Sequence, residues 1–184
     1  VYDGGISLTG YVTVTTGVGY EALTYTGATA NNANVATASK YINAITLADA
    51  TDSSGGVATN YHLPTLNSTN APATITARPI TLTASAQSKI YGDTLSLGTT
   101  GFTKTSGSYA TGEAATAVVL ASANAYAAST TKVVGTYANE ISISSATGSG
   151  GFTASNYNIT YTAGALTVNK ATLTVTADAK SMTY

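Results

Sequence analysis

Residues 41–61 read YINAITLADATDSSGGVATNY and residues 137–157 read YANEISISSATGSGGFTASNY. Tyr41, Asn43, Ile45, Ala50, Thr51, Gly55, Gly56, Asn60 and Tyr61 recur as Tyr137, Asn139, Ile141, Ala146, Thr147, Gly150, Gly151, Asn156 and Tyr157. A second pair sets ASAQSKIY at 84–91 against ADAKSMTY at 177–184. The offset is about 93 to 96 residues, well beyond the roughly 20–50-residue period of helical and leucine-rich solenoids. It is the size of one independently folding domain, so the chain reads as a tandem array. Tandem copies make length. They speak of architecture and name no ligand.

Within each period the local pattern is strand after strand. Residues 10–15, GYVTVT, alternate Val12 and Val14 with Thr13 and Thr15. Residues 80–84, 141–143, 159–161, 166–168 and 173–176 alternate aliphatic residues with Thr, Ser or Tyr in the same way. Period two puts the aliphatic set on a buried face and the polar set on a wet one, as an antiparallel sheet with one solvated face requires. Gly and Ser clusters at 53–56, 98–101 and 148–151 supply turns. The alanine-rich stretches 20–38 and 114–128 are less clear. Residues 116–120 read as a strand, and the alanine-rich remainder as loop with at most a helical turn. Six to eight short strands per period, roughly 8–12 residues apart, predict two tandem immunoglobulin-like β-sandwiches in an all-β chain. Leu82, Ile141, Ile143, Ile159, Leu166 and Val168 are the expected core of the second.

The periods divide where two short strands stand in a row, at 73–91 and again at 166–184. The first strand of each pair closes one domain (74–76; 166–168) and the second opens the next (80–84; 173–177). Arg78-Pro79 and Lys170-Ala171 are then the hinges, and Pro79, lacking an N–H, suits a break in a ladder. On this division residues 1–77 are a first repeat without its opening strand. Residues 78–169 are a complete second repeat, and 170–184 the opening strand of a third. Tyr2, Tyr91 and Tyr184 hold equivalent places. A linker of two residues predicts a fixed angle between neighbours. The chain opens in mid-pattern at Val1-Tyr2-Asp3-Gly4, without a signal peptide, and reads as an excerpt of something longer.

Composition narrows the class further. Charged residues make up 8% of the 184, far below the roughly 25% of an ordinary soluble domain. Hydrophobic residues reach 43%, enough for a packed core. A net charge of −1 with no basic block argues against nucleic acid as a partner. No apolar run approaches the roughly 20 residues of a membrane helix. Cysteine is absent. With the Thr-, Ser-, Asn- and Gly-rich surface, this points to export and to an extracellular or bacterial cell-surface location.

Several stretches resemble a known family: the Tyr2-Asp3-Gly4 start, ITLTA and KIYGD within 80–93, VVGTY at 133–137, GGFTASNYNI at 150–159 and ALTVNKATLTVTA at 165–177. They are similar to the MBG and YDG tandem repeat domains of large bacterial surface adhesins of the filamentous-haemagglutinin kind. The first period resembles the YDG type and the second the MBG type. Ser39-Lys40-Tyr41 departs from the pattern, standing where the second period has Gly135-Thr136-Tyr137. The shared motifs are turn glycines, strand aromatics and a junction. The resemblance implies an immunoglobulin-like sandwich in an extracellular stalk and carries over no catalytic residue.

Candidate chemistry fails residue by residue. His62 is the single histidine, which excludes His-based metal clusters and Ser-His-Asp triads within the chain. Its counterpart is Asn158, so the position reads as an exposed or half-exposed face. Asp49 and Asp52 are the closest carboxylate pair; a loop calcium site needs more oxygens than they offer. Asn67-Ser68-Thr69 and Asn158-Ile159-Thr160 match glycosylation acceptors, and Asn158 is expected in a strand. Lys89, Asn169 and Glu140 are the candidates for a Lys–Asn isopeptide bond. Tyr61 and Tyr157, each after a turn Asn, read as corner rings with their hydroxyls bonded to backbone. Tyr11, Tyr20, Tyr25, Tyr109 and Tyr126 have no clear counterparts. We expect no catalytic residue, metal site or cofactor. Two function classes stay open. One is a structural repeat that forms a stalk or fibre, its partners being neighbouring repeats or other copies head to tail. The other is a module that itself contacts glycan or host protein.

Overall fold

The computed structural model describes residues 1–123, Ala125 and 132–184. The chain is all-β, with helix confined to two single 3-10 turns among these residues, Ala58–Asn60 and Ala154–Asn156. They sit 96 residues apart, immediately before Tyr61 and Tyr157.

The first period holds β1 (Thr24–Ala30) and β2 (Ile42–Ala48), paired antiparallel. β1 lies inside the alanine-rich stretch read as loop. Its small side chains fit a strand whose Ala28 and Ala30 are buried, so tertiary burial overrides the helical preference of alanine. Among the described residues seven strands follow in the second period: β3 (Arg78–Ala84), β4 (Gln87–Ile90), β5 (Phe102–Gly107), β6 (Ala114–Ala121), β7 (Gly135–Ser149), β8 (Tyr157–Thr162) and β9 (Gly164–Asn169). They form a three-stranded sheet in the order β5-β3-β8 and a four-stranded sheet in the order β4-β9-β7-β6, an arrangement consistent with a β-sandwich.

Alternation sets the core. Ile80, Leu82 and Ala84 of β3 are buried, as are Val118 and Leu120 of β6, Ile141 and Ile143 of β7, and Leu166 and Val168 of β9. Of the six expected core residues only Ile159 is not fully buried; it is half-buried in β8. Arg78 and Pro79 stand within β3 and not in a break between strands. Pro is tolerated there because it occupies the strand's start.

Three expected strands carry no ladder among the described residues. Residues 10–15, 74–76 and 173–176 form no strand. Their counterparts in the second period explain the first case. Gly101-Phe102 leads into β5 as Gly10-Tyr11 leads into 11–16, and β8 corresponds to residues 61–66. In the second period β3 runs between β5 and β8 and supplies hydrogen bonds to both. No described strand lies between 11–16 and 61–66, so neither segment has a ladder.

Other pairings of the second period do recur in the first. β7 pairs β9 at Tyr137↔Leu166, and Tyr41 bridges Pro72. β4 runs parallel to β9, and the chain leaves it with Tyr91 N–H donating to Asn169 O at 2.9 Å. Tyr2 N–H donates to Thr76 O at 2.8 Å in the matching place.

By compactness the residues group into two units that do not follow chain order. Unit 1 comprises residues 1–80, 107–115 and 147–159; unit 2 comprises 81–106, 116–146 and 160–184.

Candidate functional site

Unit 1 contains a cluster built from residues far apart in sequence. Residues 108–113 form a turn closed by Glu113 N–H donating to Ala110 O at 3.0 Å, which presents the Glu113 carboxylate. Tyr157, carried at the start of β8 by the preceding 3-10 turn, is 5% exposed. Its hydroxyl donates to Glu113 Oε2 at 2.7 Å and accepts from Ala110 N–H at 2.9 Å. Tyr2 donates to the other carboxylate oxygen, Oε1, at 2.5 Å. Both oxygens of Glu113 are thus held by phenols.

The rings pack as aromatic pairs should. Tyr2 meets Tyr157 edge-on with centroids 5.7 Å apart, and Phe152 stacks on Tyr157 at 4.9 Å. Burial, and then the neighbouring Glu113, raises the phenol of Tyr2. Burial pushes the phenol of Tyr157 up to about 12, with Glu113 adding to the rise.

Two further ties surround this cluster. Arg78 Nε donates to Tyr2 O at 2.7 Å, and Arg78 also donates to Ser108 Oγ at 2.7 Å. Asn156, fully buried, accepts from Val35 N–H at 2.9 Å and donates to Asn34 Oδ1 at 3.0 Å. A buried amide with its polar atoms satisfied is a strong positional restraint. Tyr2, Val35 and Arg78 are thereby fastened to the 108–113 turn and to the 3-10 turn before Tyr157.

The first period has the core of the same arrangement. Glu21 N–H donates to Val18 O at 3.0 Å, closing an equivalent turn. Tyr61, after its own 3-10 turn, donates to Glu21 Oε2 at 2.6 Å. The bond to Glu21, ahead of burial, raises the Tyr61 phenol. A close backbone approach also repeats. A Cβ on Gly56 would stand 1.9 Å from Ala22 O, and one on Gly148 would stand 2.1 Å from Ala114 O. Only glycine fits at either place. The sequence repeat pairs Gly55-Gly56 with Gly150-Gly151, whereas the close approach of Gly56 matches that of Gly148.

The remaining sequence candidates are dispersed. His62 and Asn158 are both exposed, as expected. Asp49 accepts from Ala58 N–H at 2.7 Å and Asp52 from Ser54 N–H at 2.9 Å, so each carboxylate closes its own turn. The Ser54 bonds hold the Asp52 carboxyl below the usual range. Among the described residues no group of three or more His, Cys, Asp or Glu is placed to hold a metal. Asn67 Oδ1 caps a turn by accepting from Thr69 N–H at 2.8 Å, and Asn158 lies in β8.

The isopeptide candidates do not come together. Lys89 is buried beside Val168 in the β4–β9 pair, whereas Asn169, the next residue of β9, is exposed. Alternation puts their side chains on opposite faces of the sheet. Glu140 is engaged elsewhere, accepting from Ser122 Oγ at 3.1 Å and pairing with Lys132 at 3.5 Å. Tyr157 meets the expectation of a backbone-bonded corner ring, while the Tyr61 hydroxyl bonds a carboxylate instead. Tyr25 accepts from Gly10 and Val12 N–H at 2.8 and 3.1 Å, which gives it a structural place. Tyr126 lies outside the described residues. Sequence reasoning missed Glu21 and Glu113. Each lies about 40 residues before the Tyr of an Asn-Tyr pair, with no motif to mark the pairing.

A long recess completes unit 1. A cavity of about 500 Å³ is lined by Thr9, Gly10, Val12 to Val14 and Leu23 to Tyr25. A second, of about 150 Å³, lies between Val14–Thr16 and Tyr61–Pro64, with Leu23 and Leu47 on its walls. The smaller lies between the two segments without a ladder; the larger touches only the first of them.

The strand content and the two sheets are consistent with a β-sandwich. Residues 80–167 match the MBG domain, YGX type. The match covers most of β3 through most of β9 and is consistent with an MBG-type repeat over this stretch, a module associated with surface proteins. No curated protein and no solved structure matches the chain. Among the described residues no helix is long and apolar enough to cross a membrane.

Proposed function

We propose that this chain is a structural repeat segment of a secreted bacterial surface adhesin or extracellular fibre. In this reading residues 1–77 and 78–169 are successive immunoglobulin-like repeats, and 170–184 is the opening strand of another. The repeats act as a stiff stalk, held at a fixed angle by ties of the kind that Tyr2, Arg78 and Asn156 make.

One observation supports the reading: a recess lies between residues 14–16 and 61–64, segments that correspond to β5 and β8, which β3 joins in the second period. There Ile80, Leu82 and Ala84 are buried. Leu173, Val175 and Ala177 repeat that pattern, yet Leu173 and Val175 are each 85% exposed. An apolar alternating segment without a sheet and a sheet without its middle strand are complementary. Strand addition joins them: a segment of the 173–177 type from a neighbouring repeat, or from another copy of the chain, lies between 11–16 and 61–66. Such a contact is head to tail and does not close on itself, so it builds a fibre.

Sedimentation velocity over a range of concentrations tests this. The chain should form a ladder of oligomers, and the variant Leu173→Asp/Val175→Asp should stay monomeric. Equal assembly by both would refute strand addition.

A further inference from the structure

The Tyr2–Glu113–Tyr157 cluster shows how one repeat end receives another, and the first period carries a second receiving end. Glu21, Tyr61 and Asn60 correspond to Glu113, Tyr157 and Asn156. The shared turn at Glu21 and Glu113, the shared 3-10 turn and the shared Tyr-to-Glu hydrogen bond fix the correspondence. The two ends differ in what covers them. Asn156 is fully buried against residues 34–35, whereas Asn60 is exposed. Glu113 accepts from two phenols, whereas Glu21 accepts from Tyr61 through Oε2. Val18 and Tyr20, in the turn before Glu21, are 53% and 99% exposed.

Tyr2 is the plug of the filled end, and its counterpart is Tyr91. Each N–H bonds a carbonyl of the segment that closes its repeat, Tyr2 N–H on Thr76 O and Tyr91 N–H on Asn169 O. Tyr91 is 38% exposed.

We infer that the Glu21–Tyr61 pair is a socket for Tyr91 of a second copy of this chain, whose hydroxyl donates to Glu21 as Tyr2 donates to Glu113. The occupant follows from the chain itself, because the filled socket displays the tyrosine and its backbone anchor. Exposed Val18 and Tyr20 then become the rim that the arriving end covers. The inference rests on the end-to-end reading of the repeats and adds to it a specific register: Tyr91 of one copy over Glu21 of the next.

The chain has no cysteine, which makes the register directly testable by cross-linking. Tyr20→Cys and Ile90→Cys each alter an exposed neighbour and leave Glu21 and Tyr91 intact. The two single variants are mixed with a short bismaleimide. Heterodimer should form from this pair far faster than from Tyr20→Cys with the exposed control Thr103→Cys. Adding Tyr91→Phe to the Ile90→Cys chain should lower the yield about tenfold, as expected for loss of one hydrogen bond to a charged group. Equal yields with the control, or no effect of Tyr91→Phe, would overturn the socket. Assembly lost on Leu173→Asp/Val175→Asp without this cross-link in the parent leaves strand addition standing and removes the socket. The specific cross-link persisting in that double variant keeps the socket and removes strand addition.

Discussion

The Tyr2 hydroxyl donates to Glu113 Oε1 at 2.5 Å, tying the beginning of the first period to a turn of the second. Glu113 receives Tyr157 on its other oxygen, so a single carboxylate organises residues separated by more than a hundred positions. Glu113→Gln should therefore destabilise unit 1 by about 1–3 kcal/mol, since charge-assisted hydrogen bonds are the stronger class. Tyr2→Phe should cost less, because one phenol remains on the carboxylate. Urea unfolding of the two variants checks the order; an inverted ranking would contradict it.

Alkaline pH should loosen the same cluster. A phenol whose folded pKa is raised stabilises the fold in its protonated form. Its contribution is whole below pH 10 and disappears as pH climbs through about 12, the value of Tyr157. Tyrosinate absorbance should show a late step as pH climbs through about 12, accompanied by loss of near-ultraviolet circular dichroism. Tyr157→Phe should remove the late step.

The sandwich core predicts a sharp contrast between equivalent residues. Leu82→Ala should cost about 2–5 kcal/mol, because Leu82 is wholly buried in β3. Val175→Ala, at the matching place in the tail, should change the stability of the dilute chain by less than about 0.5 kcal/mol. Thermal denaturation of both variants at low concentration makes the comparison.

Close backbone approach gives another contrast. Gly56→Ala and Gly148→Ala drive a methyl group into a carbonyl oxygen and should each cost about 1–3 kcal/mol or more. Gly27→Ala in β1 meets nothing within 4 Å and should be tolerated. Chemical denaturation of the three single variants tests the difference.

Much of this was legible in sequence. The repeat, the all-β class and the alternation of Leu82, Ile141, Leu166 and Val168 follow from local chemistry that the folded chain respects. Thr24–Ala30 was not legible, because alanine reports helix propensity while its burial in β1 is decided by neighbours far away. Residues 10–15 have a strand's pattern, but pattern specifies a face and not a partner. Lys89 and Asn169 show the same limit: adjacent in the sheet, they point to opposite sides, which only the parallel register of β4 with β9 reveals. The Tyr–Glu pairs escaped because each joins residues about 40 positions apart through side chains with no motif between them.

The account turns on the unfilled place between residues 11–16 and 61–66. Amide hydrogen exchange of the full chain, with and without a saturating synthetic peptide of residues 172–184, tests it most directly. We predict that both segments gain protection together, and that a peptide carrying Leu173→Asp and Val175→Asp protects neither. Unchanged exchange in both segments at saturating peptide would contradict the claim that a strand of this type completes the repeat.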